Sequence, residues 1–216
     1  MNIILFGPPG AGKGTQAINL VKDFNLYNVS TGDLLRDEIK NNTVLGNKIK
    51  SLIDKGTLVS DDIIKELVKK VLSNKKINNK LIFDGYPRNL DQAKELDSFI
   101  KKNNQKISCV LSLNVNKETI IKRILGRQIC SKCGLIFNKF FSPVNKDNHN
   151  CDSKFLQRRS DDKEETIINR YQTYLEKTLP ILSFYKEQKL LHQINGIGEI
   201  NDIYKEIRGI IASIET

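Results

Sequence analysis

No apolar run in this 216-residue chain approaches the roughly 20 residues that a membrane-spanning helix needs. Nor does a basic stretch precede the short apolar run "NIILF" at 2–6. That run feeds straight into glycines, so it reads as a strand and not as a secretion signal. The expected location is the cytoplasm, with no membrane partner. Cysteine is sparse. The four residues Cys109, Cys130, Cys133 and Cys151 argue against a disulfide framework in a cytosolic chain and leave metal binding or plain burial. Internal repeats and a disordered tail are absent, and the length suits one domain with small insertions and a substantial core. Acidic residues are the minority charge, 25 against 35 Lys and Arg, which leaves +10. Such a surplus suits a polyanion, either nucleic acid or a phosphorylated small molecule. Much of the lysine lies on amphipathic helices such as "IIKELVKKVL", where it solvates an outer face.

What is present is a rhythm. Continuous apolar runs at 2–6, 80–87, 108–115 and 190–194 read as buried strands, with a shorter one at 27–29. Helical spacing fills 13–24, the stretch opened by "STGDLLRDEI", 60–72, 91–100, 117–125, a long helix over "DKEETIINRYQTYLEKT" and a C-terminal helix. Alternating strands and helices predict an α/β fold, a parallel sheet covered on both faces. The segment from Arg127 to Asp161 breaks the rhythm. It is rich in Asn, Lys and Phe and holds three of the four cysteines, so it reads as an inserted module.

The first strand ends in "GPPGAGKGTQ" at 7–16, followed by a helix. Strand, glycine loop and helix are the context that a phosphate-cradling loop requires. Backbone N–H groups from Gly10 to Thr15, including Ala11, Gly12, Lys13 and Gly14, can point at phosphate oxygens, with the helix N-terminus behind them. Lys13 is a mobile point charge suited to the β and γ oxygens. Gly14 stands where the general pattern places a hydroxyl, and Thr15 follows one residue late.

Together "GPPGAGKGTQ", "STGDLLR", "FDGYPRNLDQA" and "RRSDDKEET" resemble the adenylate kinase family, in order along essentially the whole chain. In that family the loop reads G-K-G-T, so Gly14 is the expected form. The resemblance implies a P-loop kinase three-layer fold with a central five-stranded parallel sheet. Its core would span 1–29, 60–125 and 163–216, with a helical monophosphate-binding insert at 30–59 and a long lid insert at 126–162. The implied reaction is reversible transfer of the γ-phosphoryl of Mg·ATP to AMP, giving two ADP, by a monomer. Phosphoryl transfer needs phosphates held in line and surrounded by positive charge, and the sequence offers no obvious acid or base.

By the same resemblance, Arg36 and Arg88 hold the AMP phosphate. Arg123, Arg127, Arg159 and Arg170 gather around the ATP phosphates and the transferred group, with Arg159 and Arg170 also reaching AMP. A guanidinium offers phosphate a planar fork that lysine lacks. Thr31, Thr57, Leu58, Val59, Gly85, Tyr86, Pro87 and Gln92 complete the AMP site, with the Gln92 amide set to pair with an adenine edge. Ile136, Phe137 and the backbone near Gly198 border the ATP base. Asp84, at the end of its strand, and Thr15 are placed to orient the waters of Mg²⁺. Asp161 and Asp162 are expected to pair with the arginines when the lid closes.

In the inserted module, "CSKCG" at 130–134 is half of a zinc knuckle, and Cys151 adds a third thiolate. Long-lid relatives close such a site with a ligand that would fall at Lys154, which cannot serve while protonated. Asp152 or His149 is then the fourth ligand of a structural Zn²⁺, against the alternative of a lid that keeps its cysteines without metal. Two readings compete with ATP:AMP transfer among the enzymes: a UMP/CMP kinase, which Gln92 disfavours, and a GTP:AMP phosphotransferase. A basic zinc ribbon on nucleic acid is the reading from a different class. It lacks an aromatic-rich basic stripe and leaves the phosphate loop unexplained.

Overall fold

The computed structural model describes residues 1–55 and 57–215, with Gly56 and Thr216 outside the described residues. Five strands form a wholly parallel sheet: β1 (Asn2–Phe6), β2 (Tyr27–Ser30), β3 (Leu81–Asp84), β4 (Cys109–Asn114) and β8 (Leu191–Asn195), in the order β2-β3-β1-β4-β8. All five residues of β1 are buried, which is why it reads as an unbroken apolar run and does not alternate. One face carries Ile4, Phe6, Phe83 and Val110 against Leu96, Ile100 and Tyr185. The other carries Ile3, Leu5, Ile82 and Leu111 against Leu20, Ile207 and Ile211. Full burial of such a side chain contributes about 1.5–3 kcal/mol. Stability therefore resides in the sheet and its two helical layers, and polar groups are free to gather at the strand ends.

The helices are α1 (Lys13–Phe24), α2 (Thr31–Lys40), α3 (Val44–Asp54), α4 (Asp61–Leu72), α5 (Leu90–Lys102), α6 (Lys117–Leu125), α7 (Glu164–Thr173), α8 (Ile181–Glu187) and α9 (Ile200–Glu215). Side-chain caps fix several starts: Ser30 accepts from the Asp33 N–H, Asn89 from Gln92 and Asn116 from Thr119. The single helix expected across 162–178 is in fact α7 followed by a π-helical turn, Tyr174–Thr178, and then α8 behind Pro180. Among the described residues no helix is long and apolar enough to cross a membrane.

The irregular segment contains a sheet that its sequence did not announce. Strands β5 (Arg127–Cys130), β6 (Ile136–Asn138) and β7 (Leu156–Gln157) pair antiparallel in the order β6-β5-β7. They are only two to four residues long, too short for a period to register.

Candidate phosphate-transfer site

The carboxyl ends of β1 and β3 lie side by side, with Leu5 in register with Asp84, so the glycine loop after β1 and the turn after β3 are neighbours. Gly10 and Gly12 hold φ values of 80° and 98°. At Gly10 a Cβ would also come within 2.7 Å of Ile124, so only glycine permits both the turn and the packing against α6. Lys13 opens α1 and folds back, its ammonium donating to the carbonyls of Gly7 (2.7 Å) and Pro8 (3.0 Å). Burial lowers its pKa to about 8. The Asp84 carboxylate opposes that fall, and Arg88, Arg170 and Arg127 add to it.

Gly14 faces Asp84. A Cβ at position 14 would stand 3.7 Å from the Asp84 Oδ2 and 3.5 Å from Ile136. The missing side chain leaves the Asp84 carboxylate uncovered on the side that faces the loop. Burial raises the pKa of Asp84, and the Lys13 charge pulls it back down.

Six arginines converge from separate segments of the chain. Arg88 follows the cis Tyr86–Pro87 bond. Its Nε donates to the Gly85 carbonyl at 2.7 Å, its own carbonyl accepts from Thr178 Oγ1 at 2.8 Å, and Gln92 Oε1 takes its backbone N–H at 2.8 Å. Thr31 Oγ1 donates to that same Gly85 carbonyl at 2.8 Å. Arg36 pairs with Asp33 at 2.5 Å and Arg170 with Asp161 at 2.5 Å, while Arg127 grips Asp162 with two nitrogens. Arg123 donates to the Ala11 carbonyl at 3.2 Å. Arg159 Nε is buried without a partner. Burial, followed by repulsion from Arg127 and Arg36, brings Arg159 down to about 9. Burial and then Arg170 bring Arg88 down to about 10. Cations crowded in this way repel one another until an anion lies between them. A cavity lined by Thr31, Arg36, Val59, Arg88, Gln92 and Arg170 opens onto this cluster, with Thr57 and Leu58 at its wall.

Most of the expected residues therefore surround one region, with some exceptions. The Tyr86 ring is buried in the core beside Phe83, 6.4 Å between centroids, so only its backbone faces the turn. Ile136 points at the glycine loop, but its neighbour Phe137 turns to the opposite face of β6 and packs edge-on against His149 at 4.9 Å. The side chains of these two neighbours thus part at β6, as the two-fold alternation of a strand requires. Gly198 lies in the loop between β8 and α9, where Ile197, Val115 and Asn116 line a separate depression. Asp161 and Asp162, expected partners of the arginines, do carry the pairs with Arg170 and Arg127.

In the small sheet, the ligand atoms of Cys130, Cys133, His149 and Cys151 lie within 4.8 Å of one another. Asp152 is not among them. It caps the 3₁₀ turn Ser153–Phe155 by accepting the Lys154 N–H at 2.9 Å and pairs with the Lys154 side chain. This corrects Asp152 as an alternative fourth ligand. His149 Nε2 is buried and unpartnered. Reading along the chain missed Asp61 and Thr178, which hold Gln92 and Arg88. No spacing signal marks either one.

A glycine loop between a parallel strand and a helix, with lysine and converging arginines at the strand ends, defines a P-loop phosphotransferase. The family model described as adenylate kinase matches residues 5–190. The chain is 46% identical to an adenylate kinase of Pelagibacter ubique over 98% of its own length and 99% of the relative's. It is 42% identical to one of Enterococcus faecalis, again over 98% and 99%, and 39% identical to one of Archaeoglobus fulgidus over the full length of both. The chain belongs to the adenylate kinase family.

Proposed function

We propose that the enzyme catalyses reversible, magnesium-dependent transfer of the γ-phosphoryl group of ATP to AMP, giving two ADP, and that it does so as a cytoplasmic monomer. The observation that carries this reading is the ring of cations around the loop, with Arg159 Nε buried and unpartnered, next to a separate cavity bounded by Arg36, Arg88 and Gln92. The loop N–H groups and Lys13 bind the donor phosphates. Arg36 and Arg88 bind the acceptor phosphate, and the remaining arginines bear on the group in transit. Asp84 and Thr15 hold the water shell of Mg²⁺, which when bound neutralises charge developing on the phosphate oxygens. Exclusion of water matters because water competes with AMP as the acceptor, and residues 126–162 and 30–59 form the closing parts. Ser160 at the end of one part already donates to Asp54 of the other at 2.9 Å.

A coupled assay over ATP, GTP, CTP and UTP as donors and the four monophosphates as acceptors tests the reading. AMP is expected to exceed CMP and UMP by a large factor, and the Gln92→Ala variant to narrow the gap. Turnover of CMP comparable to that of AMP would overturn the assignment.

A second observation supports a structural zinc ion held by Cys130, Cys133, His149 and Cys151. Three thiolates and an imidazole form a common closed zinc set, and the His149 ring supplies the fourth donor. The protein purified without chelator is expected to contain close to one zinc per chain. Cys133→Ser is expected to lose the zinc and to unfold at lower temperature. Zinc well below stoichiometry in the unmutated protein would end this proposal.

A further inference from the structure

We propose that Asp61 is a specificity-determining positioning residue, fixing which way round the Gln92 amide faces the acceptor base. The proposal rests on the reading of the Arg36–Arg88–Gln92 cavity as the monophosphate site. Gln92 lies in the first turn of α5, buried at the cavity wall. Its Nε2 donates to Asp61 Oδ1 at 2.6 Å, and its Oε1 accepts the Arg88 backbone N–H at 2.8 Å. A carboxylate only accepts and a backbone N–H only donates. The amide is therefore locked by chemistry. Turning it over would set its NH₂ against the Arg88 N–H and its oxygen against the Asp61 carboxylate.

Asp61 is itself held. It is the first residue of α4, and its second oxygen accepts from Asn89 Nδ2 at 2.8 Å, while Asn89 caps α5 by accepting the Gln92 N–H at 2.9 Å. One carboxylate thus ties the start of α4 to the cap of α5 and to the amide of Gln92 together. After these contacts the amide retains one N–H and one lone pair. Their order is fixed, with the acceptor toward Arg88 and the donor toward Asp61.

Base edges divide on that order. Adenine presents an amino donor next to a ring acceptor. Hypoxanthine presents an oxo acceptor next to a ring N–H, and guanine and uracil share its order. A locked amide can make a bidentate pair with the first arrangement and not the second. Sites built to pair a specific group reject an analogue that reverses it far more strongly than an apolar pocket rejects a size change. Cytosine shares the adenine order, so the amide leaves its exclusion to the shape of the cavity, and the test uses inosine monophosphate.

The experiment compares kcat/KM for AMP and for IMP with Mg·ATP, in the full chain and in Asp61→Asn. An asparagine can offer either end of its own amide, so Gln92 is held only by the Arg88 N–H. The AMP-to-IMP ratio is expected to fall about tenfold or more, the scale for losing a hydrogen bond to a charged group, with IMP turnover rising in absolute terms. Asp61→Ala removes the acceptor without adding an amide. It is expected to lower the ratio likewise and keeps the test open if the asparagine variant does not fold. Asn89→Ser keeps a cap, breaks only the second contact of Asp61, and should leave the ratio within a few-fold of the unmutated value. An unchanged ratio in both Asp61 variants, with AMP turnover retained, overturns the role of Asp61. Failure of the unmutated enzyme to use AMP overturns the site assignment instead.

Discussion

Replacing Lys13 by glutamine is expected to lower kcat about 10²–10³-fold and at the same time to raise the unfolding temperature of the nucleotide-free protein. Both effects come from one buried charge. The Lys13 ammonium sits at the loop donating to two carbonyls, and burial, opposed in part by Asp84, brings its pKa to about 8. The folded state therefore binds that proton less readily than the unfolded chain, where lysine titrates near 10.4. Its cost to stability is complete below about pH 8 and fades as pH rises toward the unfolded value. The stabilisation in Lys13→Gln should follow the same window, clear at pH 7 and vanishing near pH 10. Glutamine retains an N–H donor for the loop carbonyls, so those contacts are not lost outright. Saturating ATP and AMP should reverse the order, because only lysine gains the phosphates. The rate follows the same proton. In the unmutated enzyme kcat/KM for ATP should decline above about pH 8, and the decline in kcat should lie higher because bound phosphates favour the ammonium. Thermal scans from pH 6 to 10, paired with rate profiles, measure both. A glutamine variant less stable than its parent at pH 7 would contradict the account.

The residues that could be read along the chain are those whose chemistry is local. "GPPGAGKGTQ" announces its conformation because positive φ at Gly10 and Gly12 demands glycine and because strand and helix flank it. Asp84 announces itself by ending an apolar run, and in a parallel sheet that end is where ligands lie. The core strands follow from continuous apolar runs and most of the helices between them from hydrophobic period, but α3 does not stand out along the chain. Other features depend on tertiary contact. Asp61 and Gln92 are 31 residues apart, and Thr178 and Arg88 are 90 apart, so nothing in either local pattern joins them. His149 and Cys151 are only two residues apart, and no local pattern shows both side chains reaching one cluster. The fold around the short strand β6 nevertheless places both side chains beside Cys130 and Cys133. The opposite faces taken by Ile136 and Phe137 were hidden for a simpler reason. A two-fold strand alternation cannot be applied until the strand itself is known, and three residues do not reveal one. The break at Tyr174–Thr178 has no sequence signal ahead of Pro180, yet it carries the hydroxyl that holds the Arg88 carbonyl.

Arg88→Lys is expected to lower kcat/KM for AMP by about 10²-fold or more at pH 7 although it preserves formal charge, and to leave the KM for ATP little changed. Two physical differences combine. The first is geometric. Arg88 spends its Nε on the Gly85 carbonyl at 2.7 Å and reaches Thr31 Oγ1 with one terminal nitrogen at 3.5 Å, which leaves the remaining N–H groups of its two terminal nitrogens to face a phosphate as a fork. A lysine has one nitrogen for both tasks. The second is electrostatic. Burial and the neighbouring Arg170 already bring the Arg88 guanidinium down to about 10, a fall that still leaves it charged at neutral pH. Lysine begins near 10.4, about two units below arginine, so the same surroundings carry it into the range where Lys13 already lies. The substituted ammonium therefore begins to discharge as pH rises past neutrality. The deficit of Arg88→Lys relative to the parent should deepen between pH 7 and 9, whereas a purely geometric loss would stay constant across that interval. Steady-state rates with AMP varied at saturating ATP, taken at several pH values, separate the two contributions. A variant within a few-fold of the parent at every pH would show that Arg88 does not bear on the acceptor phosphate. A pH-independent deficit would confine its role to the shape of the fork.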